Sequence, residues 1–161
     1  MEVNNTVIEI AMKKAINEAL TAREKGEDPF GAVLINENGE ICCSSHSKCR
    51  ELNDPTAHAE ILVIRDYCQS NKQIYLNGFT IVCSGEPCVM CSGAIKWAKI
   101  ESIIYSISQK YIQEISGGKN KPTCNEIVNT GNKKIRIVEN YMIEEGKSVF
   151  INFKFIPKDR R

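Results

Sequence analysis

The chain has 161 residues, 42% hydrophobic and 25% charged, a balance that suits one domain with its own core and excludes a disordered or fibrous chain. Twenty-one Lys and Arg against twenty Asp and Glu leave a net charge of +1, so no global field draws the protein to nucleic acid. No apolar run approaches membrane-spanning length, and Met1-Glu2-Val3-Asn4-Asn5 lacks the basic and apolar regions of a signal peptide, which points to the cytoplasm and away from a membrane.

The first element is a helix. Val7, Ala11, Ala15 and Ala19 interleave with Ile8, Met12, Ile16 and Leu20 as a wide apolar stripe of helical period, with Asn5 or Thr6 as cap and Gly26 as stop. Gly31 to Ile35 and Glu40 to Ser45 read as strands joined at Asn38-Gly39, a strong hairpin signal. Thr56 is placed to cap a helix from Ala57 to Tyr67, and Pro87 suits the first turn of a second from Cys88 to Ala98. Phe79 to Ser84 and Ser102 to Ile107 read as strands, each following a helix as parallel crossovers require. Gln109 to Thr130 reads as a helix followed by a loop around Gly117-Gly118 and Pro122, and Lys134 to Glu139 as a last strand. Glu144 to Phe155 reads as a closing helix, with Val149, Phe150 and Phe153 on its apolar side and a solvated tail, Lys158-Asp159-Arg160-Arg161. With no internal repeat or linker, residues 1–161 form a single domain.

The chemistry lies in Asn53-Asp54-Pro55-Thr56-Ala57-His58-Ala59-Glu60 and Glu86-Pro87-Cys88-Val89-Met90-Cys91. Zn²⁺ favours imidazole and thiolate, and a catalytic zinc keeps three protein ligands with the fourth position open; His58, Cys88 and Cys91 supply that set. Cys88 and Cys91, three apart, share a helix face, and the positive end of the helix dipole helps to hold them as thiolates. Glu60 follows His58 by two, so it points to another side of the turn and is better placed as a proton carrier than as a ligand. A structural zinc would want a fourth Cys or His and has no use for a proton carrier, so Glu60 argues against a zinc-stabilised scaffold without activity. Eight cysteines would suggest disulfides in a secreted chain; here the remaining six, Cys42, Cys43, Cys49, Cys68, Cys83 and Cys124, read as reduced thiols.

His-Ala-Glu followed by Pro-Cys-x-x-Cys resembles the signature of the zinc-dependent cytidine deaminase superfamily. Pro29-Phe30-Gly31-Ala32-Val33, Asn53 to Glu60, Glu86 to Cys91 and Gly93 to Ala98 resemble bacterial guanine deaminases most closely. Bacterial tRNA adenosine deaminases come next, sharing Asp54 to Glu60 and all of Glu86 to Cys91. The resemblance implies an α/β fold, a three-layer α/β/α sandwich on a five-stranded mixed sheet, and a homodimer. It implies hydrolytic deamination of a purine-like base or nucleoside with Zn²⁺ as cofactor, Glu60 as the catalytic proton carrier and release of ammonia. A tRNA-specific adenosine deaminase is the alternative, in which tRNA is the partner and a basic face surrounds the pocket mouth.

For substrate binding the resemblance points to Phe30 and Trp97, which otherwise read as core aromatics, and to backbone N–H groups near Ala59 and Cys91. His46, or Ser47 when counted back from His58, stands where both groups of relatives usually carry a base-binding Asn, and an imidazole offers a different donor and acceptor set from an amide. Around Gly117 to Asn120 the acidic residue that holds guanine in guanine deaminases is missing, with Glu114 the nearest carboxylate and out of register.

Overall fold

The structure, a computed structural model, describes residues 3–119 and 121–156, so the tail from 158 to 161 lies outside the described residues. Eleven elements follow one another: α1 (Asn5–Glu24), β1 (Gly31–Ile35), β2 (Ile41–His46), α2 (Ala59–Asn71), β3 (Thr80–Gly85), α3 (Val89–Trp97), β4 (Ser102–Ile107), α4 (Gln109–Ser116), α5 (Cys124–Val128), β5 (Arg136–Val138) and α6 (Ile143–Ser148). The strands form one sheet in the order β2-β1-β3-β4-β5. β1 runs antiparallel to β2 and β3, while β3, β4 and β5 are parallel. This is the mixed five-stranded sheet that the resemblance implies.

Strand periodicity sorts the core into two layers. Ala32 and Leu34 of β1, Ile81 and Cys83 of β3, and Ile103 and Tyr105 of β4 face one side, where Ala59 and Val63 of α2, Ile95 of α3 and Val128 of α5 cover them. Val33, Ile35, Val82 and Ile104 face the other side, against Ala11, Met12, Ala15 and Ala19 of α1, Ile112 of α4, and Val149 and Phe150. Helices therefore cover both faces, completing the α/β/α sandwich. Among the described residues no helix is long and apolar enough to cross a membrane.

Boundaries differ from the expected ones where local hydrogen bonds decide them. α1 is capped by Asn4, whose side-chain oxygen accepts the Thr6 N–H at 2.8 Å, rather than by Asn5 or Thr6. Its alanines let β1 approach so closely that a Cβ on Gly31 would sit 2.1 Å from the Ala15 carbonyl oxygen. The expected loop after α4 contains α5, started by a capping box: Thr123 Oγ1 accepts the Glu126 N–H, and Glu126 accepts the Thr123 N–H at 2.6 Å.

The closing helix is much shorter than expected. α6 stops at Ser148, tight turns continue through Phe150 N–H to Lys147 O and Phe153 N–H to Phe150 O, and Asn152 takes a left-handed conformation (φ 58°) that ends the run. Phe150, Phe153 and Phe155 then gather against Phe30 and Tyr111 as an aromatic cluster, with the Phe150 and Phe155 rings stacked at 5.9 Å. Packing, not helical period, places these rings.

Because the atom blocking a side chain at Gly31 is backbone, Gly31→Ala should cost about 3 kcal/mol or more. Urea unfolding checks it; a midpoint unchanged from the parent would show that α1 can move off the sheet.

Candidate active site

Two helix starts meet at the C-terminal end of β3. His58 is the N-cap residue of α2 and Cys88 that of α3, and neither spends its side chain on a capping hydrogen bond. The expected caps are corrected. Thr56 donates its N–H and hydroxyl to Asp54 Oδ1 at 2.8 and 2.6 Å, making a turn that delays the helix by two residues, and Pro87 precedes the N-cap. The freed imidazole and thiols turn towards each other. His58 Nδ1 lies 3.6 Å from each of Cys88 Sγ and Cys91 Sγ, and the two sulfurs lie 3.6 Å apart.

That triangle fits zinc. Bonds of about 2.3 Å to sulfur and about 2.05 Å to nitrogen in a tetrahedral centre separate the ligand atoms by roughly 3.5 to 3.8 Å. Among the described residues this is the one cluster of His, Cys, Asp or Glu placed to hold a metal. All eight cysteines are free thiols.

The site's own charges are tuned for that role. A hydrogen bond from the Cys91 thiol pulls Cys88 down to about 4, assisted by His58 and opposed by burial, so Cys88 is a thiolate at neutral pH. Cys91, sharing that proton and buried, is held above the usual thiol range. His58 is raised, first by its hydrogen bond with Cys88. Glu60 sits in the first turn of α2, only 6% exposed, with Oε2 3.4 Å from Cys91 Sγ. Burial raises its carboxyl, opposed by the charge of His58, which suits a group that takes up and passes on a proton.

A cavity of about 570 Å³ opens over this cluster, lined by His58, Glu60 and Cys88. Phe30, Ile112 and Phe155 supply apolar wall, and the exposed Lys119 and Lys121 lie at its solvent side. Phe30 therefore lines this cavity. The other candidates, Trp97, His46, Ser47 and Ala59, are not among the residues that line it. Trp97, at the end of α3, is 83% exposed and does not line the cavity. His46 lies on the same side of β2 as Ser44, so it faces α1: Nδ1 is 2.8 Å from Glu18 Oε2 and Nε2 is 3.3 Å from Lys25 Nζ, while Ser44 binds the other Glu18 oxygen. Ser47 is buried and donates its N–H to the Phe30 carbonyl, so it holds the backbone of the wall residue. Ala59 is buried in the core at the start of α2.

Gly117, Gly118 and Lys119, in the segment expected at the substrate, line the cavity, while Asp28, Gln109, Lys121 and Phe155 were not foreseen from the sequence. The buried Glu86 carboxylate accepts the N–H of Gln109 at 2.6 Å and of Cys124 at 2.7 Å, the first residues of α4 and α5, and so ties both helix starts to the end of β3. Glu27, 2% exposed, accepts the N–H groups of Arg50 and Glu51 and holds the loop before His58 against the end of α1. A buried carboxylate on backbone N–H groups leaves no periodic trace in a sequence.

The sequence model of the cytidine and deoxycytidylate deaminase zinc-binding region matches residues 5–107. The chain belongs to that family. It is a zinc-dependent hydrolase of the nucleobase and nucleoside deaminase class, which sets aside the inactive scaffold. Among its relatives, a tRNA-specific adenosine deaminase of Aquifex aeolicus (strain VF5) is 36% identical over 148 residues, covering 90% of this chain and 92% of the relative. The structure of a tRNA:A34 deaminase, studied for A-to-I editing at the wobble position of transfer RNA, superposes with a TM-score of 0.75 at 32% identity, covering 88% of this chain and 99% of that one. Guanine deaminase from Bacillus subtilis superposes with a TM-score of 0.66 at 28% identity, covering 95% and 99%.

With the metal stripped, a brief pulse of iodoacetamide at pH 7 should label Cys88 first, because Cys43 and Cys124 are pushed up to about 11 and about 12 by burial. Peptide mass spectrometry reads the order. Zinc added before the reagent should protect Cys88; equal labelling with and without zinc would remove it from the ligand set.

Proposed function

We propose that this chain deaminates adenosine to inosine in a transfer RNA. The observation that carries the reading is the pair Lys119 and Lys121 at the solvent side of the cavity: cations suited to backbone phosphates beside a pocket with room for a base. The near-neutral net charge told against nucleic acid only while the place of the lysines was unknown. The name of the Aquifex relative and its coverage of both chains support the same substrate, and so promote the alternative over the guanine reading.

Guanine fits less well. His46 is committed to Glu18, and Glu86 spends both its oxygens on backbone N–H groups. The likeness to the Bacillus subtilis guanine deaminase keeps guanine as the competing substrate.

His58, Cys88 and Cys91 hold the zinc, which when bound supplies the Lewis acid that makes water a nucleophile near neutral pH. Glu60 takes one proton from the attacking water and passes it to the ring nitrogen, then carries the remaining hydroxyl proton to the amine as the C–N bond breaks, so adenosine and water become inosine and ammonia. Phe30 offers the base an aromatic wall. The exposed Val89 and Trp97, eight residues apart on one side of α3, suit a homodimer contact.

The test offers the zinc-loaded protein an anticodon stem-loop with adenosine at the wobble position and, separately, guanine. Inosine should form in the RNA, and Glu60→Gln should lower the rate by about a thousandfold or more with zinc retained. Turnover of guanine with a silent RNA would transfer the assignment to guanine. Sedimentation checks the contact on α3: the parent should run as a dimer that Trp97→Glu splits, and a variant that stays dimeric would place the interface elsewhere.

A further inference from the structure

Cys42 and Cys43 are neighbours in β2, and in a regular strand their side chains would point to opposite faces of the sheet. Opposite them the ladder with β1 slips. Leu34 pairs with Cys43 and Ile35 with Ile41, which makes Cys42 the extra residue of a β-bulge. Ile41 packs on the α1 side of the sheet, whereas Cys42 and Cys43 both pack against the core under α2. The bulge therefore turns two consecutive thiols to one face. They lie where Ile35 pairs with Thr80, the first residue of β3, at the opposite end of that strand from the zinc ligands.

A second cavity, of about 590 Å³, opens here and is lined by both cysteines together with Glu40, Asp66 and Tyr67. Both thiols are half-buried, and each donates its hydrogen in a long bond to a carbonyl oxygen: Cys42 Sγ to that of Glu40 at 3.4 Å, Cys43 Sγ to that of Val63 at 3.7 Å. Burial raises both thiols, Cys43 to about 11, and the carboxylates of Glu40 and Asp66 add to it, so both carry their protons at neutral pH. The Tyr67 ring is fixed edge-on against Phe79, with ring centres 5.1 Å apart.

Donor count and charge select the ligand. Zinc wants four donors, and among the described residues no third His, Cys, Asp or Glu stands close enough to complete a metal cluster with this pair. Two thiolates on a monovalent ion would leave a net negative charge beside Glu40 and Asp66, which those carboxylates oppose. A centre that takes two sulfurs and ends neutral meets neither objection. We propose that Cys42 and Cys43 form a dithiol site for a monosubstituted trivalent arsenical, R–As(OH)₂, held through both sulfurs with its organic group in the cavity beside Tyr67. Two S–H and two As–OH bonds break, two As–S bonds form and two waters leave. Arsenic stays trivalent and no net charge appears, so protonated thiols suit the reaction.

The experiment treats the zinc-loaded protein with one equivalent of phenylarsine oxide, measures retained zinc, then unfolds the chain, alkylates the remaining thiols with iodoacetamide and cleaves with trypsin. Residues 26–48, between cuts after Lys25 and Lys48, contain Cys42 and Cys43 and no other cysteine. That peptide should carry one phenylarsenic group and no alkyl group, with zinc still bound to the protein before unfolding. In a titration, Cys42→Ser and Cys43→Ser should each need about a hundredfold more reagent for half occupancy, because a single As–S bond loses the gain from the second, tethered thiol. Cys68→Ser, whose thiol lies outside this cavity, should match the parent. Arsenic on Cys88 and Cys91 with zinc expelled, or a doubly alkylated 26–48 peptide, overturns the proposal. So does a Cys42→Ser or Cys43→Ser protein that takes up the reagent as tightly as the parent. The peptide result is read on the parent alone, so it decides the matter even where a variant does not fold.

Discussion

Three ligand atoms 3.6 Å apart are the constraint on which the rest of the molecule depends. They come from two helix starts, so the triangle exists only if α2 and α3 approach the sheet at fixed angles. The core on that face supplies the approach, with Ala59 and Val63 of α2 and Ile95 of α3 packed over β1, β3 and β4. Helix starts also suit the chemistry, since unpaired N–H groups and the dipole favour thiolate and carboxylate where the metal needs them. Position and electrostatics have a single origin.

Buried carboxylates do the remaining positioning. Glu27 holds the loop that delivers His58, and Glu86 holds the beginnings of α4 and α5, which carry Gln109 and flank the lysine-bearing segment. In each case an anion that would be expensive to bury alone is satisfied by backbone donors, so moving the loop would strand the charge. The cavity wall is more local. Phe30 precedes β1, and its ring meets Phe150 and Phe155 from the far end of the chain, so the wall joins the first strand to the last described residues.

Most of the fold was legible because its signals are local and periodic. The stripe of α1, the Asn38-Gly39 hairpin and the apolar strands each carry their own pattern, and the zinc ligands carry a spacing set by helix geometry. What failed depended on competition between local bonds or on partners far away in sequence. Thr56 looked like a cap, yet the nearer Asp54 took its N–H. The capping box of Thr123 and Glu126 is a local pattern, masked by the glycines and Pro122 around it. Val149, Phe150 and Phe153 do have helical spacing, and nothing in it says that Asn152 turns left-handed and folds the rings onto Phe30. The direction of the His46 ring is likewise set from a distance, by Glu18, 28 residues earlier.

The central claim is that His58, Cys88 and Cys91 hold one zinc with a position left open for chemistry. X-ray absorption at the zinc edge, on protein with its metal content quantified, tests this most directly. The account predicts one zinc per chain, bound by two sulfurs at about 2.3 Å and by two lighter atoms at about 2.0 to 2.1 Å, one of them imidazole nitrogen. A shell of three or four sulfurs, or zinc well below one per chain after loading, would contradict it.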